Sequence, residues 1–152
     1  GDECGYTNDY SYLNDPGKSY DNRWMHRPII HWDKNNRIDE PGTVEATIFN
    51  GTQKLIALRK QLPMVADHKN LSWLSPFNVH VAGYLRTLDD AKLYCVFNFS
   101  KETAYLSYAA FKQHGPTANE LYDHWQDKTY AVGFDNEHLI LEPYGFCLLE
   151  QR

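Results

Sequence analysis

The opening segment of the chain, Gly1 to Pro28, holds side-chain types that suit the binding of a polyhydroxylated ligand. It shows neither helical nor strand periodicity, and a loop of this length in a compact domain is usually functional or disordered. Flat aromatic faces can cover the C–H surface of such a ligand, while charged and donor-rich groups bind its hydroxyls. The composition therefore favours a functional loop. Its tyrosines, tryptophan and arginines are Tyr6, Tyr10, Tyr12, Tyr20, Trp24, Arg23 and Arg27.

Metal and redox chemistry have weaker support in the sequence. The cysteines Cys4, Cys95 and Cys147 are odd in number, widely separated and outside any Cys-x-x-Cys spacing. Small buried thiols in a reducing compartment explain them better than a metal or redox role. His26 and His31 lack the spacing of a helical zinc site. We therefore expect no metal and no cofactor.

Length and charge narrow the function classes further. The 152 residues suit one domain with a sizeable core, and the formal net charge of -5 is spread without a basic patch. Nucleic acid and anionic membrane are therefore not expected partners. No apolar run approaches the roughly 20 residues of a membrane-spanning helix. The chain opens without Met or a charged and apolar leader, so we expect Gly1 to be a boundary inside a longer protein.

One long helix is predicted from about Thr43 to Leu62. Thr43 is a suitable N-cap, Glu45 matches the positive end of the helix dipole, and Pro63 ends the segment. Apolar residues recur at three- and four-residue steps, so one face of this helix must be covered.

From Leu71 onward the hydrophobic period changes from helical to alternating. Val79 to Arg86 alternates, and Lys92 to Phe99 is almost continuously apolar, as in a central strand covered on both faces. Short strands with polar turns indicate an antiparallel sandwich or Greek key. The weaker strands lie near 103–108, 119–123, 128–131, 138–141 and 145–150.

Taken together in order, the motifs resemble the C-terminal end of an α-amylase family enzyme, glycoside hydrolase family 13. The resemblance implies a mainly β fold with one long helix. Residues 1–63 would be the loop after strand eight and the last helix of a (β/α)8 barrel, and residues 64–152 an antiparallel Greek-key β-sandwich, domain C. Besides the aromatic loop, the motifs are the Gly-Asp-Glu-Cys-Gly run at 1–5, the helix end at 56–63, Val-Phe-Asn-Phe-Ser at 96–100 and the closing run at 139–150.

Within this family, the runs at 8–16 and 21–28 look most like the amylosucrases and their sucrose-hydrolase relatives. That resemblance implies that Arg23 reaches the glucose subsite and pairs with an aspartate from an earlier barrel loop. A guanidinium offers a rigid, permanently charged fork to a carboxylate, which suits this role. Cys4 departs from the pattern, because an aliphatic residue is more usual at its position.

The catalytic groups themselves are not expected in this chain. A retaining enzyme of this type needs a nucleophilic carboxylate and a carboxylic acid roughly 5 Å apart. The resemblance implies that these groups lie upstream of Gly1. Asp2 and Glu3 are adjacent, and adjacent residues on a strand point to opposite faces, so we expect a structural role for them.

Several alternatives stay open from the sequence. By composition alone, Arg23 could equally be a solvated surface charge. Trp24, Tyr12 and Tyr20 fit loop-packing anchors better than sugar platforms. The function could instead belong to a related α-glucosidase or trehalose-converting enzyme, or to a non-catalytic carbohydrate-binding module. The expected partners are sucrose or α-glucan, the missing barrel of the same polypeptide and a second copy of the fragment, and the resemblance implies the bacterial cytoplasm.

Overall fold

The structure, a computed structural model, describes residues 1–132 and 137–151. It divides into two compact units, Gly1–Ala57 and Leu58–Arg152. The predicted division after residue 63 assigned the two parts of the chain to different domains, and that assignment stays a prediction.

The first unit is built from short helical turns joined by loops. Its 3-10 turns span Asp2–Cys4, Ser11–Asn14, Asn22–His26 and Asn36–Asp39, and a single α-helical turn, α1, spans Trp32–Asn35. The described residues of this unit contain no strand. Short turns of this kind make few backbone hydrogen bonds of their own. The shape of the unit therefore depends on contacts made by side chains.

The long helix, α2, spans Val44–Gln61 and continues into the second unit. Its observed bounds differ by one residue at each end from the predicted Thr43 to Leu62. The hydroxyl of Thr43 accepts a hydrogen bond from the Ala46 N–H at 3.1 Å, as an N-cap does. Several apolar side chains of the helix are exposed: Val44, Ile48, Leu55 and Ile56. Among the described residues, no helix is long and apolar enough to cross a membrane.

The second unit is an antiparallel β-sandwich. One sheet has six strands in the order β1-β2-β3-β8-β5-β6, and the other pairs β4 with β7. All pairings are antiparallel. The strands are β1 Leu71–Trp73, β2 Val81–Leu88, β3 Ala91–Asn98, β4 Ala104–Ser107, β5 Glu120–Asp123, β6 Lys128–Ala131, β7 His138–Leu141 and β8 Phe146–Gln151.

Strands that follow one another in the chain do not always lie side by side, as in a Greek key. After β3 the chain crosses to the small sheet as β4, and after β7 it returns to the large sheet as β8, beside β3. The core between the sheets holds Leu85, Tyr94, Leu106, Leu141 and Leu149, all at most 1% exposed. The predicted antiparallel sandwich is therefore confirmed.

Strand β3 is the central strand that the apolar run predicted. Tyr94 and Val96 face the core between the sheets, whereas Leu93 and Cys95 belong to a second apolar cluster on the opposite face. That second cluster includes Leu58 of α2 and, after the end of the helix, Leu62 and Met64. Because both faces are covered, the strand tolerates a continuous apolar sequence instead of an alternating one.

Some boundaries differ from the sequence prediction. Strand β2 begins at Val81, two residues after the predicted start, because residues 79 and 80 form a turn. The strand predicted near 103–108 ends at Ser107, whose hydroxyl caps a 3-10 turn spanning Tyr108–His114. The side chain of Trp73, which the sequence did not place, lies on β1.

Asn98 joins three segments of the sandwich. Its buried side-chain amide donates to the carbonyls of Glu102 at 2.8 Å and Glu142 at 3.0 Å. Its carbonyl accepts from the backbone N–H of Ser100 at 3.0 Å and from the Ser100 hydroxyl at 2.9 Å. A buried amide with both ends bonded stabilises the loop after β3 and fixes the chain where β7 ends.

We expect the substitution Asn98→Asp to destabilise this chain by about 3 kcal/mol, because a carboxylate oxygen would face backbone carbonyls in a buried site. Urea unfolding measures the change. Asn78→Asp is the matched control: the Asn78 side-chain oxygen accepts from the His80 N–H at 2.9 Å, and an aspartate retains that acceptor. Equal losses of stability in the two variants would contradict the assignment.

Candidate functional site

A buried carboxylate, Glu45, holds the first unit together. It is 3% exposed and lies in the first turn of α2. Lys34 Nζ is 3.8 Å and Arg37 Nη1 is 3.7 Å from its Oε1 atom. A buried carboxylate is costly without such partners, so the two cations fix the α1 region against the start of α2.

Lys34 carries the same connection to the opening turn of the chain. Its Nζ atom donates to the Gly5 carbonyl at 3.1 Å and lies 4.3 Å from the ring centroid of Tyr6. The Tyr6 hydroxyl accepts from the His31 N–H at 2.7 Å and has Asn35 Oδ1 within 2.9 Å as an acceptor. The opening turn, α1 and α2 therefore meet around one cation and one phenol.

Asp2 and Glu3 lie in a 3-10 turn instead of a strand, which corrects the sequence argument based on strand alternation. The turn closes because the Gly5 N–H donates to the Asp2 carbonyl at 3.0 Å. Gly5 has φ +65, and a Cβ atom there would lie 3.0 Å from Ile48 and 3.1 Å from Val44. Glycine is therefore required at this position for both backbone and space.

The loop encloses a cavity of ≈ 410 Å³ between the opening turn and residues 26–30. Two contacts hold its walls together: Asn8 Oδ1 lies 3.1 Å from His26 Nδ1, and the Asp9 N–H donates to the Met25 carbonyl at 2.8 Å. Hydroxyl, amide, imidazole and guanidinium groups in one concave surface suit a polar ligand. The lining residues are Gly1, Asp2, Tyr6, Thr7, Asn8, His26, Arg27, Pro28 and Ile30.

Arg23, the predicted substrate-binding residue, lies in the turn Asn22–His26 and forms a two-point ion pair with Asp21. Its Nε donates to Asp21 Oδ1 at 2.9 Å and its Nη2 to Oδ2 at 2.8 Å. The Asp21 carboxylate also caps the turn by accepting from the Arg23 N–H at 3.0 Å. The Arg23 side chain is 74% exposed and that of Asp21 is 16% exposed, so the guanidinium is oriented by its partner while open to solvent.

The hydrogen bonds from the side chain and backbone of Arg23 lower the pKa of Asp21 to about 2. The carboxylate is therefore charged under all ordinary conditions. The aspartate partner that the resemblance implied lies outside this chain, and the local partner Asp21 was not predicted. The role of Arg23 in a sugar pocket stays a prediction.

The other aromatic residues of the loop differ in their surroundings. The ring of Trp24 has Lys18 Nζ 5.0 Å and Arg27 Cζ 5.4 Å from its centroid, which supports its predicted role as a loop anchor. Tyr12 is partly buried. Tyr20 is 82% exposed, so its predicted anchor role is wrong for this chain.

The burial of the cysteines was predicted correctly from the sequence. Cys4, Cys95 and Cys147 are buried and form no disulfide. Burial raises the pKa of Cys95 to about 11, so this thiol is protonated and unreactive at neutral pH. Within the described ranges, no group of three or more His, Cys, Asp or Glu residues could hold a metal ion.

Several solved structures share the fold of this chain. No protein-family model matches the chain. A structure of an AmyP variant in complex with maltotriose matches with a TM-score of 0.61 at 15% identity, over 74% of this chain and 22% of that one. A structure of AmyP in complex with maltose matches with a TM-score of 0.54 at 16% identity, over 70% of this chain and 20% of that one. A variant of isomaltulose synthase from Erwinia rhapontici NX5, in complex with sucrose, matches with a TM-score of 0.53 at 24% identity, over 77% of this chain and 19% of that one. The chain spans about a fifth of the length of these structures, and the likeness shows the fold.

We expect Arg23→Ala to raise the pKa of Asp21 only part of the way to its ordinary value of 3.8, because the backbone N–H of residue 23 still donates to the carboxylate. Folding lowers the pKa of the Asp21 carboxyl group. The ionised carboxylate therefore stabilises the folded chain fully above about pH 4, and this stabilisation is lost as the pH falls toward 2. Carboxyl carbon NMR measures the titration. An unchanged Asp21 pKa in the variant would show that the guanidinium is not its partner.

Proposed function

We propose that this chain is the C-terminal part of a longer enzyme of glycoside hydrolase family 13, called here the parent protein. In this proposal residues 1–63 form the loop after the eighth barrel strand and the eighth helix, and the sandwich is domain C. The chain completes a glucose pocket and braces the barrel. The catalytic carboxylates come from the rest of the parent protein.

The observation that carries the proposal is how much of the chain the sugar-bound structures match. The second unit makes up less than two thirds of the chain. The matches cover 70% to 77% of the chain, so they include part of the loop-and-helix unit as well as the sandwich. A carbohydrate-binding module would need only the sandwich. The exposed apolar side chains of α2 also suit a helix that packs in a larger protein.

Arg23 is the residue that we propose for sugar binding. Asp21 holds its guanidinium at two points, which reduces the entropy lost when the group binds a ligand. The guanidinium remains 74% exposed, so its outer donors are open to a sugar hydroxyl or to a carboxylate of the barrel. Such a pair would close the pocket behind one terminal glucosyl unit.

Sucrose is the donor substrate that we propose. The sequence similarity of the loop to amylosucrases supports it, and the isomaltulose synthase variant was solved in complex with sucrose. Fructose would leave and the glucosyl unit would pass to an α-glucan or to water. The second candidate is action on malto-oligosaccharides, because the AmyP structures hold maltotriose and maltose.

We expect Arg23→Ala in the parent protein to lower kcat/KM for sucrose by at least about 100-fold, because a lost clamp misplaces the reacting sugar. The melting temperature should change little, since the side chain is largely exposed. Fructose release measures the rate. Arg59→Ala is the control, because Arg59 is an exposed arginine in the last turn of α2.

Two results would count against this function. An unaltered rate in Arg23→Ala would remove the role of Arg23 while leaving the family assignment in place. A parent protein that ignores sucrose but cleaves maltotriose would replace the first candidate with the second.

A further inference from the structure

Residues 18–24 form a loop that closes on itself and contains Arg23. The Asp21 N–H donates to the Lys18 carbonyl at 2.9 Å, and the Trp24 N–H donates to the Asp21 carbonyl at 3.3 Å. At the two ends of the loop, Lys18 Nζ lies 5.0 Å from the centroid of the Trp24 ring, within the distance of a cation–π contact. We call this the loop-closing contact. It joins the residue directly after Arg23 to the start of the loop.

Other charged groups near this contact do not close the loop. Lys18 Nζ is also 3.4 Å from Asp15 Oδ2, and these side chains are 44% and 46% exposed. An ion pair as open to water as this one contributes little. Arg27 approaches the Trp24 ring, with its Cζ atom 5.4 Å from the centroid, but it lies outside residues 18–24. Of the two cations at this ring, Lys18 is therefore the one that closes the loop.

The orientation of the Arg23 guanidinium depends on the backbone of this loop. In the part of the chain that the structure describes, the hydrogen bonds of the Arg23 side chain go to Asp21. Asp21 also accepts from the Arg23 N–H at 3.0 Å. An ion pair between residues so close in the chain holds only for one arrangement of the backbone that joins them. The closed loop fixes that arrangement, and a displacement of about 1 Å at a binding group can lower a rate about 100-fold.

We propose that the loop-closing contact positions Arg23 for the sugar, so that Lys18 is a positioning residue of the proposed site. This inference rests on the proposed function of Arg23. Lys18 acts through the Trp24 ring and the backbone of residues 21–23, and it does not touch the sugar. Without the contact, Arg23 is correctly placed for a smaller fraction of the time. The apparent affinity for the sugar then falls with that fraction, whereas the rate from the bound state is retained.

The substitution Lys18→Met in the parent protein removes the cation and keeps a long, unbranched side chain. We expect KM for sucrose to rise about twofold and kcat to change little, because an exposed cation–π contact changes the population of the closed loop by a small factor. Lys18→Arg keeps a cation near the ring and should restore KM. Fructose release measures both constants.

Asp15→Asn is the matched control. It removes the ion pair of Lys18, while its side-chain oxygen still accepts from the Gly17 N–H, as Asp15 does at 2.9 Å. The loop-closing contact is left in place, so KM should stay unchanged. Equal increases in KM for Asp15→Asn and Lys18→Met would assign the effect to the ion pair and would overturn the inference.

Exchange of the Arg23 Nε–H proton with water gives a second readout, which needs no sugar. This group donates to Asp21 Oδ1 at 2.9 Å, and a hydrogen bond that opens only locally slows such exchange. In the parent protein labelled with ¹⁵N in arginine, the Nε signal that is lost in Arg23→Lys belongs to Arg23. We expect its exchange to be at least about twofold faster in Lys18→Met and unchanged in Asp15→Asn.

The outcomes separate failure of this inference from failure of the proposed function. If Arg23→Ala lowers the rate on sucrose but Lys18→Met alters neither KM nor exchange, the inference is overturned and the proposed function stands. If Arg23→Ala leaves the rate unaltered, the proposed function fails and the inference fails with it, even where exchange is faster in Lys18→Met. A lower melting temperature in Lys18→Met with an unchanged KM would mean a structural role alone and would also overturn the inference.

Discussion

The first unit depends on the need to neutralise one buried carboxylate. Glu45 is almost completely removed from water, and charged groups in that position must be paired. Lys34 and Arg37 supply the charges, and Lys34 also binds the backbone of the opening turn. A segment without strands is thereby given a defined shape. The loop that carries Arg23 is thus part of a unit organised by polar contacts instead of a large apolar core.

The second unit follows a different physical rule. Its core lies between two sheets and is apolar, and its few buried polar groups hold loops in place. Asp123 is fully buried, and its Oδ1 accepts from the backbone N–H groups of Trp125 at 2.9 Å and Leu148 at 3.0 Å. This carboxylate joins the turn after β5 to the neighbouring strand β8. Asn98 does the same between β3 and the end of β7.

Hydrophobic period and capping were sufficient to predict the sandwich and the bounds of α2 closely. Strand β3 was recognised because apolar side chains must cover both of its faces, and α2 because Thr43 and Pro63 mark its ends. The 3-10 turns of the first unit have no such period. Their form depends on single hydrogen bonds, such as the cap from Asp21, and on the positive φ of Gly5. The ion pairs of Glu45 join residues that are adjacent only after folding, so no local pattern reveals them.

Arg23 links the folded loop to the proposed chemistry, and its position against a bound sugar is the most direct test. A crystal structure of the parent protein with a slowly cleaved sucrose analogue would show this position. The account predicts a guanidinium nitrogen of Arg23 within about 3 Å of a glucosyl hydroxyl, or of a carboxylate that itself contacts the glucosyl unit. A guanidinium bonded to Asp21 alone, and remote from the sugar, would contradict it.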